Sequence, residues 1–179
     1  AETAVGFDNA ASLGVWILFV AIVVFAGSAN DIYLKIGILT SITVATSFVA
    51  AYWCGRIIDW RHGGDLLKVA TLANAMTHLF RIFVTTPVGI VAANISNEIA
   101  TTGYSMAFIR GLFDTADDAK GYRIAYLTLV SAATNIGNVI ASLILLGLLL
   151  IMQGQVVAMQ LFYVVTAAYM LVIFVARFS

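Results

Sequence analysis

Apolar residues fill this chain in long stretches without charge. No charged residue lies between Asn9 and Asn30, and none between Ile36 and Gly55. A helix that crosses a bilayer needs roughly 20 mainly apolar residues. The pattern therefore predicts two spans separated by the short turn Ala29-Asn30-Asp31. The stretch from Leu66 to Leu112 is long enough for two more. It breaks at Thr85-Thr86-Pro87, where the only proline lacks an amide proton and pushes its predecessor out of the helical region. From Ile124 to Ala176 no charge appears, and Met152-Gln153-Gly154-Gln155 is the polar, glycine-containing place to turn. The expectation is an all-α integral membrane protein. It has six transmembrane helices, at about 10–29, 35–55, 66–84, 88–111, 123–151 and 156–176, forming a single bundle over 1–179.

Composition narrows the class. The chain is 62% hydrophobic and 10% charged, against roughly 45–50% and about 25% for soluble domains. A water-soluble enzyme and intrinsic disorder are both excluded on that ground. Nine basic residues balance nine acidic ones and leave no basic patch, so no nucleic-acid partner is expected. The single cysteine, Cys54, rules out a disulfide framework and a CxxC metal or redox pair. Neither metal nor cofactor is expected. A membrane enzyme would need a nucleophile with its base, an HExxH cluster or a paired-aspartate motif, and the sequence holds none. A channel would need a re-entrant filter loop, for which the connections are too short.

Lysine and arginine set the expected orientation. An even number of spans places both termini, the second-to-third connection and the fourth-to-fifth connection on one side. That side holds Arg56, Arg61, Lys68, Arg110, Lys120, Arg123 and Arg177, seven of the nine basic residues. Both termini are thus expected on the cytoplasmic face of a plasma or inner membrane. Residues 1–8 are acidic and do not read as a signal peptide, which begins with a basic segment.

The segment Gly55-Arg-Ile-Ile-Asp59-Trp-Arg61-His62-Gly63-Gly64 resembles the second-to-third loop signature of the major facilitator superfamily, G-x-x-x-D-[RK]-x-G-[RK]. Gly55 and Asp59 match in register, Trp60 replaces the first basic residue, and Arg61 and Gly63 follow one place late. Arg110-Gly-Leu-Phe-Asp114, with Lys120-Gly121-Tyr-Arg123 after it, is similar to the family's fourth-to-fifth connection. The resemblance implies a secondary transporter working by alternating access on a small-molecule substrate. It implies a 3+3 inverted repeat, and a latch built from Gly55, Asp59 and Arg61 with Arg110 as the partner of Asp59. Family members have twelve spans, so this chain corresponds to one six-helix half. The degraded signature and the lack of an initiator methionine favour the C-terminal one. Its expected partners are the lipid bilayer and the other half, in the same chain or in a second subunit. A small dimeric permease and a non-transporting assembly or scaffold subunit are the alternatives.

Ionisable groups at membrane depth are functional candidates by default, because inserting one costs roughly 2.5–3.5 kcal/mol. Glu98 lies about halfway between Pro87 and Arg110, and Asn94, Glu98 and Thr101 share one helix face with Asn97 beside them. Glu98 and Asn94 are the expected ligands for substrate or proton, with Glu98 the coupling carboxylate. Asn74, His78 and Arg81 form a second stripe, whose fold-back at Thr86 allows His78 to reach Glu98 and share its proton. The resemblance puts that helix outside the cavity, so this stripe is expected to be structural, with Arg81 snorkelling outward. In the fifth helix, Ser131, Thr134, Asn135, Asn138 and Ser142 form a small and amide face beside Gly137, which the resemblance turns toward the missing half.

Overall fold

A computed structural model describes residues 1–25, 32–60, 63–118 and 121–175. Their regular structure is entirely helical. We label the rods α1 (Glu2–Val24), α2 (Ile32–Asp59), α3 (Gly63–Arg81), α4 (Pro87–Asp118), α5 (Arg123–Ile151) and α6 (Gln155–Met170), the last continued by a tighter turn over Leu171–Val175. Among the described residues, four helical stretches are long and apolar enough to cross a membrane: Glu2–Val24, Tyr33–Asp59, Arg123–Ile151 and Gln155–Phe174. Polar residues concentrate instead in α3 and α4.

Local chemistry sets several of the ends. Thr86 caps α4, its Oγ1 accepting from the Gly89 amide at 3.1 Å. Pro87 then opens the helix where a missing amide proton costs nothing. Gly121, before α5, takes the left-handed conformation (φ 81°) that other residues avoid. The first helix departs from the expected 10–29. It begins at Glu2, eight residues earlier, because the carboxylate of Asp8 finds its partners inside the protein and need not stay in a loop. Likewise α4 runs past residue 111 to Asp118, burying Gly111, Leu112 and Ala116 while Asp114 and Asp117 face outward.

The inner helices are α1, α3, α4 and α6. Peripheral α2 packs mainly on α4, and α5 mainly on α1. One apolar cluster gathers Phe19, Val84, Ile90 and Phe162, and a second gathers Leu67, Phe108, Leu112 and Met170. Between them lies a polar layer of Asp8, Asn74, His78 and Arg81.

Two glycine contacts bring backbones together. Gly6 of α1 faces Gly137 of α5 so closely that a Cβ on Gly6 would overlap the Thr134 carbonyl oxygen, and one on Gly137 that of Thr3. Gly137 and Ala141 are buried there, whereas Ser131, Asn135 and Ser142 stay exposed. The fifth-helix stripe is thus divided between α1 and the outside. The second contact joins three helices: a Cβ on Gly103 of α4 would lie 2.9 Å from Ala70 Cβ of α3 and 3.6 Å from Cys54 Sγ of α2. Farther along, α1 widens into π-helical turns at Ala10–Val15 and Val20–Val24, a form found often near functional sites.

Gly6→Ala and Gly137→Ala should each cost several kcal/mol, lowering the unfolding midpoint in detergent by on the order of 10 °C. Gly37→Ala meets no atom within 4 Å and should be neutral or slightly stabilising, since alanine is the better helix former. Thermal unfolding of the three purified variants checks both signs.

Candidate functional site

The site is built on Asp8, one side of which is a row of α1 residues, Asp8, Ser12 and Trp16, spaced four apart. Asp8, His78 and Arg81 have side chains at most 1% exposed. Asp8 Oδ1 lies 2.9 Å from His78 Nε2 and accepts from Ser12 Oγ at 3.1 Å. Its Oδ2 accepts a short hydrogen bond from the Tyr104 hydroxyl of α4. Arg81 Nη1 donates to Ser12 Oγ at 3.0 Å and sits 3.2 Å from His78 Nδ1.

The histidine tautomer follows from this arrangement. Guanidinium only donates, so Nδ1 of His78 must accept and the ring proton sits on Nε2, aimed at Asp8. His78 is then neutral, and Asp8 and Arg81 are opposite charges bridged by an imidazole and a hydroxyl. The ring of Tyr163 in α6 stacks on His78, with centroids 6.2 Å apart. The Arg81 guanidinium lies 4.8 Å above the Trp16 ring, within cation–π range.

Beside this network, a pocket of about 210 Å³ opens between α1, α2 and α4. Ser12, Trp16, Arg81, Asn94, Asn97 and Glu98 contribute to its lining. Trp16 Nε1 donates to Asn94 Oδ1 at 2.6 Å. Glu98 is half-buried, with Ser47 of α2 near its carboxylate.

The expected residues are therefore redistributed. Asn94 and Glu98 line one pocket, but Thr101 turns to α3, where Asn74 Nδ2 donates to it at 3.0 Å. His78 pairs with Asp8 instead of reaching Glu98, because α1 rather than α4 supplies the carboxylate facing α3. Arg81 does not snorkel: it is buried, with an edge on the pocket, its charge answered by the Asp8 network and the indole face.

The expected latch residues lie apart from this site. Gly55 of α2 faces Met106 of α4, where a Cβ would meet Cε at 3.6 Å. Arg110 of α4 donates to the Ile58 carbonyl at 3.1 Å and has Asp114 at 4.0 Å, so it does not take Asp59 as its ion-pair partner. The reason is geometric: one turn along its own helix Arg110 finds a carboxylate, and the end of α2 offers it a free carbonyl. Asp59 is exposed, and Arg61, like Lys120 and Arg177, lies outside the described residues. Among the described residues no three His, Cys, Asp or Glu side chains are placed to share a metal.

Removing one member of the buried charge pair leaves the other uncompensated. Arg81→Met should destabilise by about 3–5 kcal/mol. The Asp8→Asn/Arg81→Met double variant should lose less than the sum of the two single changes, and a double-mutant cycle of unfolding free energies reads the coupling. Tyr104→Phe, which removes one hydrogen bond to a charged acceptor, should cost about 1.5–3 kcal/mol. The chain matches no family profile, no curated protein and no solved structure.

Proposed function

We propose that this chain is one six-helix bundle of a secondary transporter of the major facilitator type, moving a small solute by alternating access. The observation that carries the reading is the buried Asp8–His78–Arg81 network beside a pocket of about 210 Å³. Ionised groups buried among apolar helices are costly and tend to mark substrate or proton pathways. A purely structural pair would gain little, since apolar residues of similar volume often serve stability as well.

In this reading α3 and α4 also cross the bilayer. Their polar residues are tolerated because Asn74, His78 and Arg81 turn inward to Asp8, Ser12 and Thr101. Both termini lie in the cytoplasm, following the lysine and arginine bias. Asp8 carries the coupling proton, and Glu98 and Asn94 face the solute. Gly55, Asp59, Arg61 and Arg110 belong to the cytoplasmic gate, with Arg110 holding the end of α2 through the Ile58 carbonyl. A second six-helix bundle completes the cavity.

The test is uptake by proteoliposomes made from the native polypeptide that carries this sequence. A mixture of small metabolites is offered outside at acid pH, and the lumen is analysed by mass spectrometry. At least one solute should accumulate against its gradient. Asp8→Asn should reduce that accumulation at least tenfold, while solute exchange without a pH gradient continues. If nothing accumulates in a sealed, correctly folded preparation, a scaffold role replaces transport. Full accumulation by Asp8→Asn would remove Asp8 from the coupling step.

A further inference from the structure

The hydrogen-bond inventory of the pocket points to the chemical class of its ligand. Tryptophan only donates, so its bond to Asn94 fixes which amide atom faces it: Oδ1 is consumed and the Nδ2 donors remain. Arg81 forms its hydrogen bonds among the described residues through Nη1, and its buried Nε finds no partner. Asn94 and Arg81 both line the pocket, so one side of it carries the free Asn94 donors and the positive charge of the guanidinium. The other presents Glu98, an acceptor with a negative charge.

Along α4 the two ends are separated by four residues, Asn94 to Glu98, or about 6 Å of helix rise. Side-chain groups spaced in this way, each reaching about 3 Å, can grip a carboxylate and an ammonium carried by one carbon. Leu13, Ile17, Leu39 and Ile90 complete the walls and offer apolar surface to the rest of the solute. At about 210 Å³ the pocket is smaller than the roughly 300–1,000 Å³ typical of drug-sized ligands.

We propose that this pocket takes a neutral amino acid as its zwitterion, with the carboxylate on Arg81 and Asn94, the ammonium on Glu98 and the side chain against the apolar wall. The assignment rests on reading the pocket as a solute site. Trp16 acts as a positioning residue: its ring lies under Arg81 and its N–H orients Asn94.

The experiment is isothermal titration of the native polypeptide in lipid nanodiscs with three probes of one shape: leucine, 4-methylpentanoate and 3-methylbutylamine. Leucine should bind at least tenfold more tightly than either singly charged probe. Glu98→Gln keeps the shape and removes the charge. It should weaken leucine at least tenfold and strengthen 4-methylpentanoate, because a repelling charge has gone. Asn94→Leu should weaken leucine and 4-methylpentanoate together and spare the amine. Equal affinity for leucine and 4-methylpentanoate, or an unchanged leucine affinity in Glu98→Gln, overturns the zwitterion assignment. So does the absence of binding by alanine, valine and leucine. Failure here is distinct from failure of the transport reading. Proton-driven uptake of some other solute would leave transport standing and remove the amino acid. Leucine binding without uptake would keep the site and remove transport.

Discussion

A carboxylate cannot sit unaccompanied among apolar helices, and the arrangement around Asp8 is the answer to that constraint. Its two oxygens accept from three helices: Ser12 in α1, His78 in α3 and Tyr104 in α4. Each donor is itself held by something else. Arg81 fixes the far side of His78, Tyr163 covers its ring, and Trp16 supports Arg81. The relative rotation of α1, α3, α4 and α6 is therefore specified by direction-dependent polar contacts, where apolar packing alone would tolerate several registers.

Close backbone approach does the complementary work at the edges. Gly6 and Gly137 let α5 lie directly on α1, and Gly103 lets α4 approach α3 with α2 alongside. Without water to drive helices together inside a bilayer, association depends on tight van der Waals contact and interhelical hydrogen bonds. The inner helices use hydrogen bonds. The outer pair relies mainly on shape, with one bond from Arg110 to the Ile58 carbonyl of α2, and four of the five serine and threonine side chains of α2 bond their own backbone one turn back, as Thr40, Ser41, Thr43 and Thr46 do.

Much of the helix order could be read from the sequence wherever a break is made by local chemistry. Thr86-Pro87 is a cap followed by a residue without an amide proton, and both properties are visible in two letters. The start of α1 was not legible in the same way. Glu2 and Asp8 look like loop residues until the partners of Asp8 appear, and those lie 70 and 96 positions away. The site was half legible. Asn94 and Glu98 stand out as polar residues on one face and do line a common pocket. The stripe of Asn74, His78 and Arg81 was equally visible, but periodicity names a face and not what it meets. The available hint was the spacing of Asp8, Ser12 and Trp16, which extends a polar row into the first charge-free run.

The hydroxyl of Ser12 has two acceptors within reach, Asp8 Oδ1 at 3.1 Å and Asn97 Oδ1 at 3.4 Å, and only one hydrogen to give. While Asp8 is ionised, the nearer and more negative oxygen wins. A proton on Asp8 makes it a weaker acceptor, and Ser12 is the donor with another acceptor within reach. Asn97 is also a wall of the pocket. The serine hydroxyl thus stands between a buried acid and the pocket wall, and turning it from one acceptor to the other would carry the charge state of that acid to the place where a solute would sit.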